Sequence, residues 1–192
     1  KKNYKFIFEK LDQADKLLIP RLRKDDYGNL KYSYKRNAFL KPLNKSQVKY
    51  LRDNPPEYIY EKKYLITTLD KLLDIGVFVV LAEFQNKEVA AEWIHDKSLL
   101  RININALESG TLSFSNLLNH EVIHISQSCK TGFLFSKPEL LGLKPRLNKE
   151  KISYLASKIY SGVNRELEIE AYSYQDNLNV GIALLNKYCL KK

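Results

Sequence analysis

The sequence predicts an α+β fold in which a small antiparallel sheet packs against helices. Apolar residues recur at three- and four-residue spacing in the N-terminal and C-terminal parts of the chain, whereas β-branched apolar residues are concentrated between residues 77 and 104. Of the 192 residues, 44% are hydrophobic, which is enough to form a core. No apolar run reaches the ~20 residues of a membrane-spanning helix, so we expect no membrane span.

The N-terminal elements are predicted to be helices. Residues 4–18 have helical apolar spacing that ends before Pro20, and residues 24–44 are predicted to be irregular. A short helix is expected to follow up to Leu51. A longer helix is expected over residues 56–74, because its apolar positions form one stripe.

Three strands are predicted in the middle of the chain, over residues 77–84, 89–94 and 99–104. Their connections are short, so they are predicted to form an antiparallel meander. In the third strand, apolar residues alternate with Arg101 and Asn103. This alternation indicates that one face of the strand is exposed to solvent.

The next helix is predicted to begin at Leu112 or Phe114 and to end at Cys129, shortly before Gly132. A loop and two further helices are predicted to follow, over residues 131–147, 148–160 and 163–188.

This helix contains the sequence His120-Glu121-Val122-Ile123-His124. Positions four apart lie almost above one another on a helix, so His120 and His124 can offer two imidazole nitrogens to one Zn²⁺. Glu121 lies beside them and can accept a proton from a metal-bound water. The motif is therefore typical of a zinc hydrolase.

The rest of the helix supports this interpretation, because it predicts two separate faces. The apolar residues at positions 114, 118, 122, 125 and 129 form a stripe that we expect to face the core, while His120, Glu121, His124 and Ser128 form a polar arc. The alternative is a chance HExxH on a solvated helix. The separation of the faces and the carboxylates that follow favour zinc binding.

A catalytic zinc site needs a third protein ligand. No third histidine follows the motif, but Glu166, Glu168 and Glu170 alternate in a predicted helix further along the chain. Each of these glutamates alone would be interpreted as part of a charged helix surface. After an HExxH motif, a ligand role is favoured.

Here the sequence resembles the gluzincins, zinc peptidases in which a glutamate from a later helix completes HExxH, often in an ExxA pattern followed by Asp or Asn. Residues Glu168 to Ala171 match this pattern. The resemblance, which covers about residues 77–180, implies Glu168 as the third ligand, with Glu170 as the runner-up. Tyr172 stands where the usual residue orients a ligand histidine, so Asn119 or a backbone carbonyl would have to replace it.

The resemblance implies a zincin-like peptidase with Zn²⁺ as cofactor and a peptide or protein as substrate. Glu121 would act as the general base in direct hydrolysis by a water molecule. Tyr172 is a candidate donor to the developing oxyanion, as are the neighbouring side chains of Tyr174, Tyr160 and Arg165.

In such enzymes an edge strand just before the motif helix aligns the substrate backbone by β-addition. The third predicted strand has that place in this sequence, which makes Arg101 and Asn103 the candidate substrate-binding residues. The catalytic domain would span residues 55–192, after a basic and mainly helical extension over residues 1–54. One continuous domain fits the same pattern.

The net charge of +10 arises in the first quarter of the chain. Residues 1–52 contain fifteen Lys and Arg against five Asp and Glu, whereas the remainder contains seventeen of each. This segment is either a solvated surface or a docking surface for an acidic partner. Nucleic acid is disfavoured because no recognition motif is present. The alternative function is a non-catalytic zincin-like module that binds an acidic partner or nucleic acid through this segment.

Cys129 and Cys189 are interpreted as two buried core thiols, with one disulfide as the alternative for an exported protein. The sequence assigns no compartment.

Overall fold

The computed structural model describes residues 4–35, 43–150, 152–153 and 163–190. Within these residues the helices are α1 (Lys5–Leu18), α2 (Lys45–Asp53), α3 (Ile59–Asp74), α4 (Thr111–Cys129), α5 (Val163–Tyr174) and α6 (Leu178–Tyr188). The strands are β1 (Arg21–Lys24), β2 (Leu30–Ser33), β3 (Phe78–Ala82), β4 (Ala91–Ile94) and β5 (Leu99–Asn103). The mixture of helices and small sheets confirms the predicted α+β class.

Strands β1 and β2 form an antiparallel hairpin within a segment that was predicted to be largely irregular. The side chains of both strands are exposed, and Arg23 pairs with Lys31. The Asp25 carboxylate fixes the turn by accepting hydrogen bonds from the N–H groups of Tyr27 and Asn29, at 3.0 and 2.8 Å. Turn chemistry rather than an apolar alternation produces this hairpin, so apolar spacing could not predict it.

The second sheet has the strand order β3-β5-β4, so the predicted antiparallel meander is wrong. β5 is the central strand and pairs in parallel with β3 and antiparallel with β4. Leu100 and Ile102 of β5 are buried, whereas Phe78 and Val80 of β3 are exposed. The strand with the more deeply buried apolar residues is therefore at the centre, and β4 becomes the edge beside the motif helix.

Helix α4 is the central element and contacts α1, α3, α5, α6 and β4. The predicted core stripe is buried, but the predicted polar arc is buried as well: His120, Glu121 and Ser128 are 6%, 4% and 0% exposed. The polar arc was expected to line a cleft, and His120, Glu121 and His124 do line a cavity. Neighbouring elements surround the polar arc, so its charged groups lie in an environment of low polarity.

Helix α1 belongs to the same core as the elements that follow it. Leu11 is fully buried in the main apolar cluster. The buried Asp15 carboxylate accepts hydrogen bonds from the N–H and the hydroxyl of Thr111, at 2.8 and 2.6 Å. Asp15 thereby satisfies donors at the N-terminus of α4, which has no capping side chain of its own. The start of the motif helix is held by a residue from the basic N-terminal segment.

The C-terminal region contains two helices where one was predicted over residues 163–188. Residues 175–177 separate α5 from α6. The predicted helix over residues 148–160 lies mostly outside the described residues. Cys129 and Cys189 form a disulfide that joins the end of α4 to the end of α6, so the interpretation as two free thiols is wrong. No helix in the described part of the chain is long and apolar enough to cross a membrane.

Candidate metal centre

Two helices bring the three predicted metal ligands together. α4 supplies His120 and His124 one turn apart, and α5 supplies Glu168. His120 Nε2 lies 3.3 Å from Glu168 Oε2, His124 Nε2 lies 3.4 Å from Glu168 Oε1, and the two Nε2 atoms are 3.0 Å apart. One ligand atom from each residue lies within 4.8 Å of the others. Two imidazoles and a carboxylate are a donor set that suits Zn²⁺.

The pKa values of the clustered side chains indicate that positive charge is favoured at this site. Burial works to raise the pKa of Glu168, but hydrogen bonds from His120 and His124 outweigh it and hold this pKa well below its ordinary value. Burial works to lower the pKa of His124, yet Glu168 more than offsets this effect and raises it to about 9. At neutral pH a proton is therefore held between His124 and Glu168, where positive charge is favoured.

Glu121 is the buried carboxyl group next to this cluster. Its Oε2 atom is buried with no hydrogen-bond partner among the described residues. Burial raises its pKa to about 7; His124 opposes the rise and Glu168 adds to it. A buried carboxyl oxygen without a partner costs about 1–3 kcal/mol or more, so this atom points to a ligand that the described residues do not supply.

A cavity of about 500 Å³ adjoins the cluster. The edge strand β4 and the residues just before it form one wall, and Leu117, Pro138, Tyr172 and Gln175 contribute to the remainder. The Trp93 indole of β4 donates a hydrogen bond of 2.9 Å to the Ser128 hydroxyl. This bond fixes the edge strand against the motif helix.

Arg101 and Asn103, the predicted substrate-binding residues, are not among the residues that line this cavity. Both lie on β5, which is central rather than at the edge. The Arg101 guanidinium is 2.6 Å from Glu92 Oε1 and stacks on Phe84. Asn103 is 2% exposed and donates to the Val89 carbonyl. The alternation predicted a solvent-exposed face of β5, but Asn103 is buried and Arg101 is partly covered by Glu92 and Phe84, so this prediction is wrong. The pattern also gave no information on which strands flank β5.

Tyr172 lies one turn beyond Glu168 on α5. Its ring packs against the ring of His120, with 4.4 Å between the centroids, and it lines the cavity. An aromatic ring thus contacts a ligand histidine at the position where the ExxA pattern usually has a hydrogen-bonding residue. Of the other candidate donors, Tyr174 is buried and donates to the Lys144 carbonyl, and Tyr160 lies outside the described residues.

Glu170, the runner-up ligand, is not in the cluster. It is 3% exposed, and its carboxylate accepts hydrogen bonds from the backbone N–H groups of Leu141 and Leu143, each at 2.8 Å, and from the Gln127 side chain at 2.9 Å. Gln127 also contacts His124 Nδ1, at 2.7 Å. Sequence reasoning did not single out Gln127, although it lies three residues after His124 on the same helix.

Asn119 was expected to orient a ligand histidine, and the structure gives it another role. It is fully buried, accepts a hydrogen bond from the Tyr64 hydroxyl and donates to the backbone carbonyls of residues 174, 175 and 177. These contacts hold the turn between α5 and α6 against α4. This tertiary contact also explains why the predicted single C-terminal helix is interrupted.

Gly181 permits this contact, so replacing Gly181 by alanine is expected to destabilise the protein. A Cβ atom at Gly181 would lie 1.8 Å from Asn119 Oδ1. We expect the free energy of unfolding to fall by ~1–3 kcal/mol or more, because overpacking usually has an effect of this size. Urea unfolding measures the change, with the exposed Ala183→Ser on the same helix as the control, expected within about 0.5 kcal/mol of wild type. An unchanged stability for G181A would contradict the close approach of α6 and α4.

A family model described as a domain of unknown function (DUF8637) matches residues 109–190. The matched segment contains α4, the loop after it, α5 and α6, and therefore all four residues of the candidate site. No curated protein and no solved structure matches the chain.

Proposed function

We propose that the protein is a zinc-dependent hydrolase of zincin-like architecture that cleaves peptide bonds. The observation that carries the proposal is the convergence of His120, His124 and Glu168 on one point beside a buried Glu121 whose Oε2 has no hydrogen-bond partner in the described part of the chain. Three protein ligands leave a coordination position open, as catalytic zinc sites require. Structural zinc sites use four protein ligands and have no need of an adjacent unpartnered carboxyl group.

The chemistry assigned to this site is direct hydrolysis. A zinc ion held by the two histidines and Glu168 would polarise the scissile carbonyl and lower the pKa of a bound water to about 7. Glu121 accepts the proton of the attacking water and delivers it to the leaving amine. Burial raises the pKa of Glu121 to about 7 in the absence of a metal ion, so its carboxylate is a stronger base than an exposed glutamate. Tyr172 is the candidate for an additional donor to the oxyanion.

The substrate proposed for this cleft is an extended peptide. β4 has a strand neighbour on one side only among the described strands, and it forms the cavity wall that faces the histidines. An unpaired strand edge can bind a peptide backbone by β-addition. Tyr172 and Gln175 also line a second cavity of about 580 Å³, so two cavities adjoin at these side chains. Two adjoining cavities suit a chain of several residues better than a small amide.

Metal removal tests the proposal directly. We expect stoichiometric zinc in the purified protein, and cleavage of a mixture of unrelated peptides that a chelator abolishes and added zinc restores. Mass spectrometry of the mixture gives both the cleavage and its sequence preference. Inhibitors of serine and cysteine peptidases serve as controls and should have no effect. Cleavage that persists after zinc is removed, or a protein that binds no zinc, would refute the proposal.

A further inference from the structure

The side chain of Gln127 lies between a metal ligand and the loop that closes the site. Gln127 is fully buried. Its Nε2 is 3.2 Å from the Leu167 carbonyl oxygen and 2.9 Å from Glu170 Oε2, and its Oε1 is 2.7 Å from His124 Nδ1. The structure thus contains a continuous chain of hydrogen bonds from Glu170 to His124.

The donors and acceptors involved determine which atom donates in each of these hydrogen bonds. The Leu167 carbonyl can only accept, so the atom that faces it must be the amide nitrogen of Gln127. The amide oxygen then faces His124, and the Nδ1 atom of His124 must be the donor. A neutral histidine with its proton on Nδ1 has the lone pair on Nε2, the atom that faces His120 and Glu168. The amide of Gln127 therefore selects the tautomer that can bind a metal at this site.

At the other end of this series of hydrogen bonds, Glu170 binds the loop that follows α4. The backbone N–H groups of Leu141 and Leu143 donate to its two carboxylate oxygens, and the N–H of Glu139 donates to the backbone carbonyl of Gln127 at 3.1 Å. Pro138 of the same loop lines the cavity. The position of this part of the cavity wall is thereby linked to the orientation of the Gln127 amide.

We propose that Gln127 and Glu170 are positioning residues, which fix the tautomer of His124 and couple the loop over residues 137–143 to the hold on zinc. The effect on zinc rests on the proposed function, whereas the tautomer is a property of the chain itself. Glu170 thus supports the site through Gln127 and not as a ligand. Partners of this kind orient metal ligands and commonly change metal affinity when they are lost.

Two compensating substitutions test the hydrogen-bonded link from Glu170 through Gln127 to His124. Gln127→Glu places a second buried carboxyl group against Glu170 and the Leu167 carbonyl, and we expect zinc affinity to fall roughly 10–100-fold. Adding Glu170→Gln restores an amide donor opposite a carboxylate acceptor, so the double variant should recover part of the affinity; recovery is incomplete because the new amide nitrogen also faces the Leu141 N–H. Competition with a chromophoric chelator measures the affinity. Ser126→Ala is the matched control: it removes a buried hydroxyl on the same helix that bonds only to the Val122 carbonyl in the described structure, and it should change affinity less than about twofold.

The tautomer itself gives a second readout, one that a general loss of stability would not move. The chain contains three histidines, so the ¹⁵N spectrum of histidine-labelled protein can be assigned fully. In the metal-free Glu168→Ala variant, which lacks the carboxylate that accepts a hydrogen bond from His124 Nε2, we expect Nδ1 to carry the proton at a pH high enough for His124 to be neutral. Adding Gln127→Leu should shift His124 toward the Nε2-protonated form, which free imidazole side chains prefer.

Each outcome decides one claim. A His124 protonated on Nε2 in Glu168→Ala, or a double variant that binds zinc no better than Gln127→Glu alone, would overturn the role of Gln127 and Glu170. A wild type that binds no zinc would overturn the proposed function, and the metal-free tautomer would still decide the role of Gln127. Recovery in the double variant together with the Nδ1 tautomer would establish both residues as positioning groups.

Discussion

Replacing Glu121 by glutamine is expected to leave zinc bound and to reduce peptide hydrolysis by roughly 10²–10⁴-fold, the usual contribution of a general base. The amide has nearly the shape of the carboxyl group but cannot accept the proton of the attacking water. Glu121 is not one of the three residues whose donor atoms converge, so zinc content should be unchanged. The variant separates proton transfer from metal binding.

The measurement is the rate constant for cleavage of a peptide identified with the wild type, beside the zinc content of the same samples. Glu166→Gln is the matched control, because Glu166 is an exposed glutamate on α5 outside the cluster. Its activity should remain close to that of wild type. A fully active Glu121→Gln would show that another group accepts the proton. Loss of zinc from that variant would show that Glu121 has a role in holding the metal.

Replacing Glu168 by alanine is expected to weaken zinc binding by more than the roughly 10–100-fold that follows from loss of a residue that only supports a ligand. Two histidines alone do not complete the set of three protein ligands that a catalytic site uses. His124→Ala should have a comparable effect, because it also leaves two ligands. Hydrolysis should be lost in both variants at limiting zinc.

Glu170→Ala provides the comparison that distinguishes the two glutamates. It keeps all three donor groups of the cluster and removes contacts to Gln127 and the loop. We therefore expect a smaller loss of zinc affinity than in Glu168→Ala, together with a lower stability, since a buried amide and two backbone N–H groups lose their partner. Chelator competition and thermal unfolding measure the two quantities. The opposite ranking of affinities would assign the ligand role to Glu170.

The sequence predicted those parts of the site that depend only on the spacing of residues within a single helix, first in α4 and then in α5. His120 and His124 face the same side because of helical spacing alone, and Glu168 followed from matching a family pattern on a second helix. Both expectations required only short segments of sequence. The meeting of the three donor atoms in one place agrees with them.

The parts that were missed depend on contacts between distant segments. The apolar alternation of β5 is the same in a central strand and in an edge strand, so it could not place β4 beside the cleft. Asn119 was expected to orient a ligand histidine, because the sequence could not show its contacts with Tyr64 and the turn after α5. The burial of the polar arc of α4 also arises from its neighbours, because the helix itself has polar and apolar faces that would suit a surface position.

The disulfide between Cys129 and Cys189 encloses Glu168, the proposed third ligand, in a covalent ring. The two cysteines are sixty residues apart, and Glu168 and the loop after α4 lie between them. Closing a ring of this length removes conformational freedom from the unfolded chain worth about 4 kcal/mol. The ring also limits how far Glu168 can move from the end of α4 when contacts between the helices open. The local concentration of the Glu168 carboxylate near His120 and His124 therefore stays high. Under the proposed function, a metal ion released by partial opening would be recaptured more readily than by a chain without the disulfide.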